Sequence, residues 1–171
     1  RKDVLYCDDK NSDKRKNCVM VLNIILESLI KWFAPILSFT TEEIYKLINK
    51  EMKSVHLESF VEVPKKFQNI ELNKKWIKLK KIRDVCNISI EAKRVTKDIG
   101  SSLEANLTIK LNEELFKITK NIDFSELCIT SSAKIEKGDE GEIDIKTEKA
   151  KGDKCPVCWK IKEGGCDRHS A

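Results

Sequence analysis

"KNCVMVLNIILESLIKWFAPIL", running from Lys16 to Leu37, decides the architecture of the first half of the chain. Val21, Leu22, Ile25, Leu26, Leu29, Ile30 and Phe33 recur at spacings of three and four, the period of an α-helix with one broad apolar face to bury. Pro35 disfavours helical dihedrals at Ala34, so the helix is expected to end or kink there. The next segment, "SFTTEEIYKLINK" (Ser38–Lys50), sets Glu43 three positions after Thr40, the pattern of a capping box opening a second helix. Two helices joined by a short proline-containing turn predict an antiparallel hairpin, and with it a mainly α fold.

Further along, "SVHLESFVEVP" (Ser54–Pro64) lacks helical period and reads as an extended connector. "NKKWIKLKKIRDVCNISIEAKRVTKDIG" (Asn73–Gly100) is expected to form a long helix, with Trp76, Leu79, Ile82, Val85, Cys86, Ser89 and Ala92 as its core stripe and Gly100 as its C′ stop. The texture then changes. "ANLTIKL" alternates as a strand does, "NEELFKITKNI" suits a short helix, and "ELCIT" reads as a second strand. The charged, glycine-punctuated stretch from Ser131 to Gly152 predicts a hairpin or a mobile linker. The expected organisation is an antiparallel helical bundle over residues 1–102, a small α/β subdomain over 103–149 and a metal-dependent knuckle over 150–171.

With 171 residues, 40% hydrophobic and 36% charged, the chain suits a soluble globular protein of one main domain with a satellite. No apolar run approaches the ~20 residues that span a bilayer. The opening "RKDVLYCDDK" has no apolar signal region, and without an initiator methionine Arg1 is expected to be the cut edge of a longer chain. The net charge of +5 is concentrated between Val61 and Gly100, where eleven Lys/Arg face five Asp/Glu. Such a stretch suits a phosphate backbone, although a solvated helix face explains it equally well.

Seven cysteines are present, an odd number, and Cys7, Cys18, Cys86 and Cys128 are scattered singly. The rest cluster in "CPVCWKIKEGGCDRH", where Cys155, Cys158, Cys166 and His169 form a C-x2-C-x7-C-x2-H pattern. The pattern indicates reduced thiols in a cytoplasmic protein and one metal per chain. Each x2 pair can reach a single ion from a tight turn, and three thiolates with one imidazole match closed, structural zinc sites. Gly164 and Gly165 give the second turn its backbone freedom. A C-x-x-C redox pair is the competing reading. It expects a strand before it and a helix after it, whereas a second ligand pair follows here. With so little apolar surface, the terminal segment needs the metal to fold. Trp159 lies beside Lys160, Lys162 and Arg168, which suits stacking on an unpaired base; packing of the knuckle against the body suits it equally.

"KDIGSSLEA" (Lys97–Ala105), preceded by "IEAKR", resembles a signature of bacterial isoleucyl-tRNA synthetases. So do "KDVLYCD", "WFAPILSFTTEEIY" and "SVHLESF", in that order, and the terminal Cys-x-x-Cys-Trp. The helical motifs are shared with valyl and leucyl enzymes; "IGSSLEA" and the terminal motif favour the isoleucyl family. Residues 108–149 carry no motif of the resemblance. Two positions depart from the family's pattern: His169 stands where a cysteine is usual, and Val157 where an arginine is often found.

The resemblance implies a class I anticodon-binding domain that follows a catalytic core. It also implies a parent ligase that attaches isoleucine to its tRNA with ATP and magnesium, editing against valine. Neither nucleotide-binding signature of that class is present in this chain. "EMKSVH" lacks the second lysine and the fold of one, and His56 has no nearby acid or nucleophile, so no catalytic residue is nominated. The implied partners are the anticodon stem-loop of tRNA(Ile) and the parent's catalytic core, in a monomeric protein. Lys80, Arg83, Lys93, Arg94 and Lys97 are candidate phosphate contacts, with Trp159 and Arg168 near the loop bases. A free-standing zinc-knuckle module that binds nucleic acid or a protein partner is the alternative from another class.

Overall fold

Helix α1 (Lys2–Cys7) precedes α2 (Asp13–Phe33) in the computed structural model, which describes residues 2–49, 53–138 and 143–169. Ser12 caps α2 by accepting from the Arg15 N–H at 3.1 Å. The chain turns at Pro35 into α3 (Ser38–Ile48), which packs on α2. The expected capping box does not form. Leu37 is the N-cap, its carbonyl accepts from both the N–H and the hydroxyl of Thr41, and Thr40 already lies inside the helix. The tight turn that closes on Phe33 starts the helix three residues early. Of the seven apolar residues read as the buried face of α2, only Ile30 is fully buried. Within this unit Ile30 joins Ala34 and Val55, with Ile44 and Tyr45 packed alongside.

The connector contains two 3-10 turns, Val55–Leu57 and Lys65–Phe67. Glu42 on α3 holds the first. Its Oε2 accepts from the Ser54 hydroxyl and the Val55 N–H, both at 2.9 Å, and its Oε1 pairs with Lys46 at 3.0 Å. The "EMKSVH" stretch lies partly outside the described residues.

Two compact units divide at Gln68/Asn69. The expected grouping placed the long helix with the helices before it; here α4 (Ile70–Val95) packs on the sheet that follows it. Asn69 caps α4 through the Leu72 N–H at 2.9 Å. Its buried stripe is Leu79, Ile82, Cys86 and Ile90. Ile90 therefore takes the place expected for Ala92, which is exposed, because a straight helix returns to the same face every 3.6 residues. The helix stops before Gly100. Thr96 is the C-cap, Lys97 adopts φ +59°, and the Asp98 N–H donates to the Lys93 carbonyl at 3.1 Å, a Schellman closure. Gly100 instead donates its N–H to Glu104 Oε2 at 2.9 Å.

Strand β1 (Ala105–Leu111) is central, with β2 (Ser132–Lys137) parallel on one side and β3 (Asp144–Lys149) antiparallel on the other. The expected hairpin of the charged stretch is therefore split, since β2 and β3 both pair with β1; residues 139–142 lie outside the description. Ala105, Leu107, Ile109 and Leu111 are buried and form one core with the α4 stripe, Phe124 and Cys128. Between β1 and β2 run α5 (Glu113–Ile118) and α6 (Phe124–Leu127). The "ELCIT" strand is thus corrected. Asp123 accepts from the Ser125 N–H at 2.8 Å and opens a helical turn, which draws Glu126 and Leu127 out of extended conformation. Among the described residues, no helix is long and apolar enough to cross a membrane.

Candidate metal centre

Two short strands, β4 (Asp153–Lys154) and β5 (Ile161–Lys162), pair antiparallel and carry the first Cys-x-x-Cys turn between them. Gly152 permits this. Its φ is +114°, and a Cβ there would lie 2.3 Å from the backbone C and O of Lys162. The turn is closed by the Trp159 N–H donating to the Cys155 carbonyl and the Cys155 N–H donating to the Lys160 carbonyl, both at 2.9 Å. Gly164 and Gly165, at φ +83° and +96°, reverse the chain toward Cys166. The His169 N–H then closes on the Cys166 carbonyl at 3.3 Å.

These turns bring all four predicted ligands together. The donor atoms of Cys155, Cys158, Cys166 and His169 lie within 4.8 Å of one another. His169 Nδ1 stands 3.6 Å from Cys155 Sγ and 3.3 Å from Cys166 Sγ, and Cys158 Sγ lies 3.6 Å from Cys166 Sγ. A tetrahedral ion bound at ~2.3 Å to sulfur and ~2.0 Å to nitrogen requires S···S near 3.8 Å and S···N near 3.5 Å. The observed separations are close to those edges, so the cluster can hold a metal ion.

The thiols are unequal. Backbone N–H groups of Cys158, foremost, and of Val157 point at Cys155 and hold its thiol down to about 6. Burial pushes Cys158 up to about 11. Lowering the Cys155 thiol favours its thiolate, the form that ligates a metal. Outside the cluster, Cys86 and Cys128 are core residues. The neighbouring Cys128 sulfur and burial raise the Cys86 thiol, as suits an unreactive interior group.

The knuckle is tied to the sheet by residues with no local sequence signal. Lys160 Nζ donates to Ser125 Oγ at 3.1 Å, and the Ile161 N–H donates to Ser131 Oγ at 2.6 Å. Ser131, only 2% exposed, passes its own hydroxyl hydrogen to the Leu103 carbonyl at 2.5 Å. A buried serine between Thr130 and Ser132 gives no pattern from which this role can be read. Gly152, one residue before β4 and three before Cys155, is a further position whose role the spacing of the ligands does not announce.

The proposed RNA contacts are scattered. Lys80 and Arg168 are exposed. Arg83 donates through Nε to the Leu127 carbonyl at 3.0 Å. Lys93 pairs with Asp98 at 3.0 Å and Arg94 with Glu91 at 2.7 Å. Arg94 and Lys97 line one surface recess together with Glu91. Trp159 is 58% exposed, with Lys154 Nζ 5.6 Å from its ring centre.

The family described as "Anticodon-binding domain of tRNA ligase" matches residues 1–111, and the chain belongs to it. Its relatives carry a more particular name. It is 69% identical, over 99% of its length, to the isoleucine–tRNA ligase of Pelagibacter ubique. It is 38% and 39% identical, over 94% of its length, to the isoleucine–tRNA ligases of Agrobacterium fabrum and Bartonella henselae. The chain spans 19% of the first of these relatives and 18% of the other two.

Proposed function

We propose that this chain is the tRNA-recognition part of an isoleucine–tRNA ligase, whose catalytic core lies in the rest of the parent protein. The observation that carries the reading is the 69% identity to such a ligase over nearly the whole chain, the Cys/His segment included. The parent would attach isoleucine to tRNA(Ile) with ATP and magnesium, as a monomer in the cytoplasm, and this part would bind the anticodon stem-loop. Its helices would form the antiparallel bundle expected of a class I anticodon-binding domain.

Cys155, Cys158, Cys166 and His169 would hold one zinc ion. When bound, zinc supplies a closed tetrahedral shell, and with four protein donors no position remains for water or substrate, so its role is structural. The knuckle then presents Trp159 on a fixed turn, where its exposed ring can stack on an unpaired base. Arg168 lies near the loop bases. Lys80, Arg83, Lys93, Arg94 and Lys97 would meet phosphates, positioning the RNA without reading its sequence.

Fluorescence anisotropy with a labelled tRNA(Ile) anticodon stem-loop tests the reading. Binding should weaken with salt along a log–log slope between about −2 and −4. Salt-independent binding, or none at low salt, refutes it.

A further inference from the structure

The segment Cys128–Ile129–Thr130 carries an arrangement that the reading above does not use. Ile129 adopts φ +58°. For a β-branched residue this is a genuine outlier, because the left-handed conformation crowds the branched Cβ against the backbone. The local cause is a Schellman closure of α6, in which the Thr130 N–H donates to the Ser125 carbonyl at 2.9 Å and Ile129 occupies the C′ position. Glycine is the usual residue at that position. Burial does not explain the isoleucine. Its neighbours Cys128 and Thr130 are 4% and 0% exposed, whereas Ile129 is 56% exposed. The fold thus holds a large apolar side chain in solvent, in a conformation that disfavours it, on a loop fixed at both ends.

Strain kept at an exposed residue points to a contact made there, and the surroundings indicate with what. Ser125 and Ser131, on either side of Ile129, are the residues that tether Lys160 and Ile161 of the knuckle. Trp159, one residue before that tether, is likewise exposed and left-handed, at φ +63°. Each is at most ~7 Å along the chain from the Ser131–Ile161 junction. Cations border the same junction: Arg83 on the Leu127 carbonyl, Lys160 on Ser125 and Lys154 over the Trp159 ring. Apolar side chains bordered by cations suit the faces of unpaired bases and the phosphates that link them.

We infer that Ile129 is a contact residue for single-stranded RNA, set against the face of an unpaired base in the same loop that Trp159 meets. The inference rests on the tRNA-recognition reading, and it adds an apolar contact from the body of the domain to the aromatic one on the knuckle.

The test is Ile129→Gly in the full chain loaded with zinc, measured for thermal midpoint and for binding of the tRNA(Ile) anticodon stem-loop across a salt series. Glycine relieves the backbone, so the midpoint should rise. The lost apolar contact should weaken binding about tenfold, with the salt slope unchanged because no phosphate contact is removed. Ile129→Ala, which keeps a Cβ, should weaken binding similarly. Wild-type-like binding by both variants, with the stem-loop still bound by the wild type, overturns this inference alone. A midpoint lowered in Ile129→Gly removes the strain on which the inference stands and overturns it. Failure of the wild type to bind any stem-loop overturns the tRNA-recognition reading and this inference together.

Discussion

Replacing Ser131 with alanine should release the knuckle from the sheet. Its hydroxyl accepts from the Ile161 N–H at 2.6 Å and donates to the Leu103 carbonyl at 2.5 Å, so one oxygen joins three segments. Alanine leaves both partners without that bond. Each lost hydrogen bond costs about 1 kcal/mol, and a partner shut away from water adds its desolvation penalty, giving about 2–3 kcal/mol in all. In a unit of roughly a hundred residues that corresponds to a midpoint lowered by about 10 °C or more. Urea unfolding of the second unit, followed by the amide signals of β1, reads the loss directly. Hydrogen exchange at Ile161 should accelerate most. Ser132→Ala is the control: its hydroxyl meets Asn106 at 2.8 Å on an exposed face, and the change should cost less than about 0.5 kcal/mol. If Ser131→Ala costs no more than the control, or Ile161 keeps its protection, Ser131 does not tether the knuckle.

Native mass spectrometry should find one zinc per chain, and His169→Ala should weaken zinc retention against a chelator by at least about tenfold, while His169→Cys retains the ion; unchanged retention in His169→Ala would remove His169 from the shell. Gly152→Ala should destabilise the β4–β5 pair, since the new Cβ meets the Lys162 backbone at 2.3 Å, and wild-type metal affinity in that variant would contradict the clash. The hydrogen bond from Lys46, followed by those from Val55 and Ser54, lowers the Glu42 carboxyl from 4.5 to about 2. Its depressed value means that its stabilisation is present above about pH 4.5 and is lost as pH falls toward 2. A pH series of thermal midpoints should therefore show Glu42→Gln losing part of the acid sensitivity of the wild type, and parallel curves would count against the assignment.

What was legible in the sequence was what is decided locally. The ligands of each Cys-x-x-Cys or Cys-x-x-His pair lie within one turn, so spacing alone brings them together. The long helix was equally plain, because its apolar residues recur over many turns. The failures share a different cause. "ELCIT" has the composition of a strand, but Asp123 caps a helical turn there and a Schellman closure follows. The charged stretch after Ser131 looks like a hairpin because strands pair first with their neighbours. β1 had already taken the central place, which no local signal announces. Thr40 and Glu43 have the right spacing for a cap, yet the turn at Pro35 delivers the chain into helix at Ser38. Ser131 was invisible for the same reason as the strand order, since its partners Leu103 and Ile161 are remote in sequence.

The central position of β1 also bears on the order in which the chain folds during synthesis. Helices α1 to α3 close on near neighbours and can form as soon as they emerge. β1 emerges early in its unit but stays unpaired on both edges until β2 and then β3 follow it. Such non-local pairing is slow and leaves strand edges open to other chains in the meantime. The Cys/His turns follow the sheet along the chain, and they dock on α6 and on Ser131 just before β2, which are settled only once the sheet is. A nascent chain stalled before residue 149 would thus expose its most apolar strand, Ala105–Leu111, with one edge unpaired, making that interval the one most in need of a chaperone.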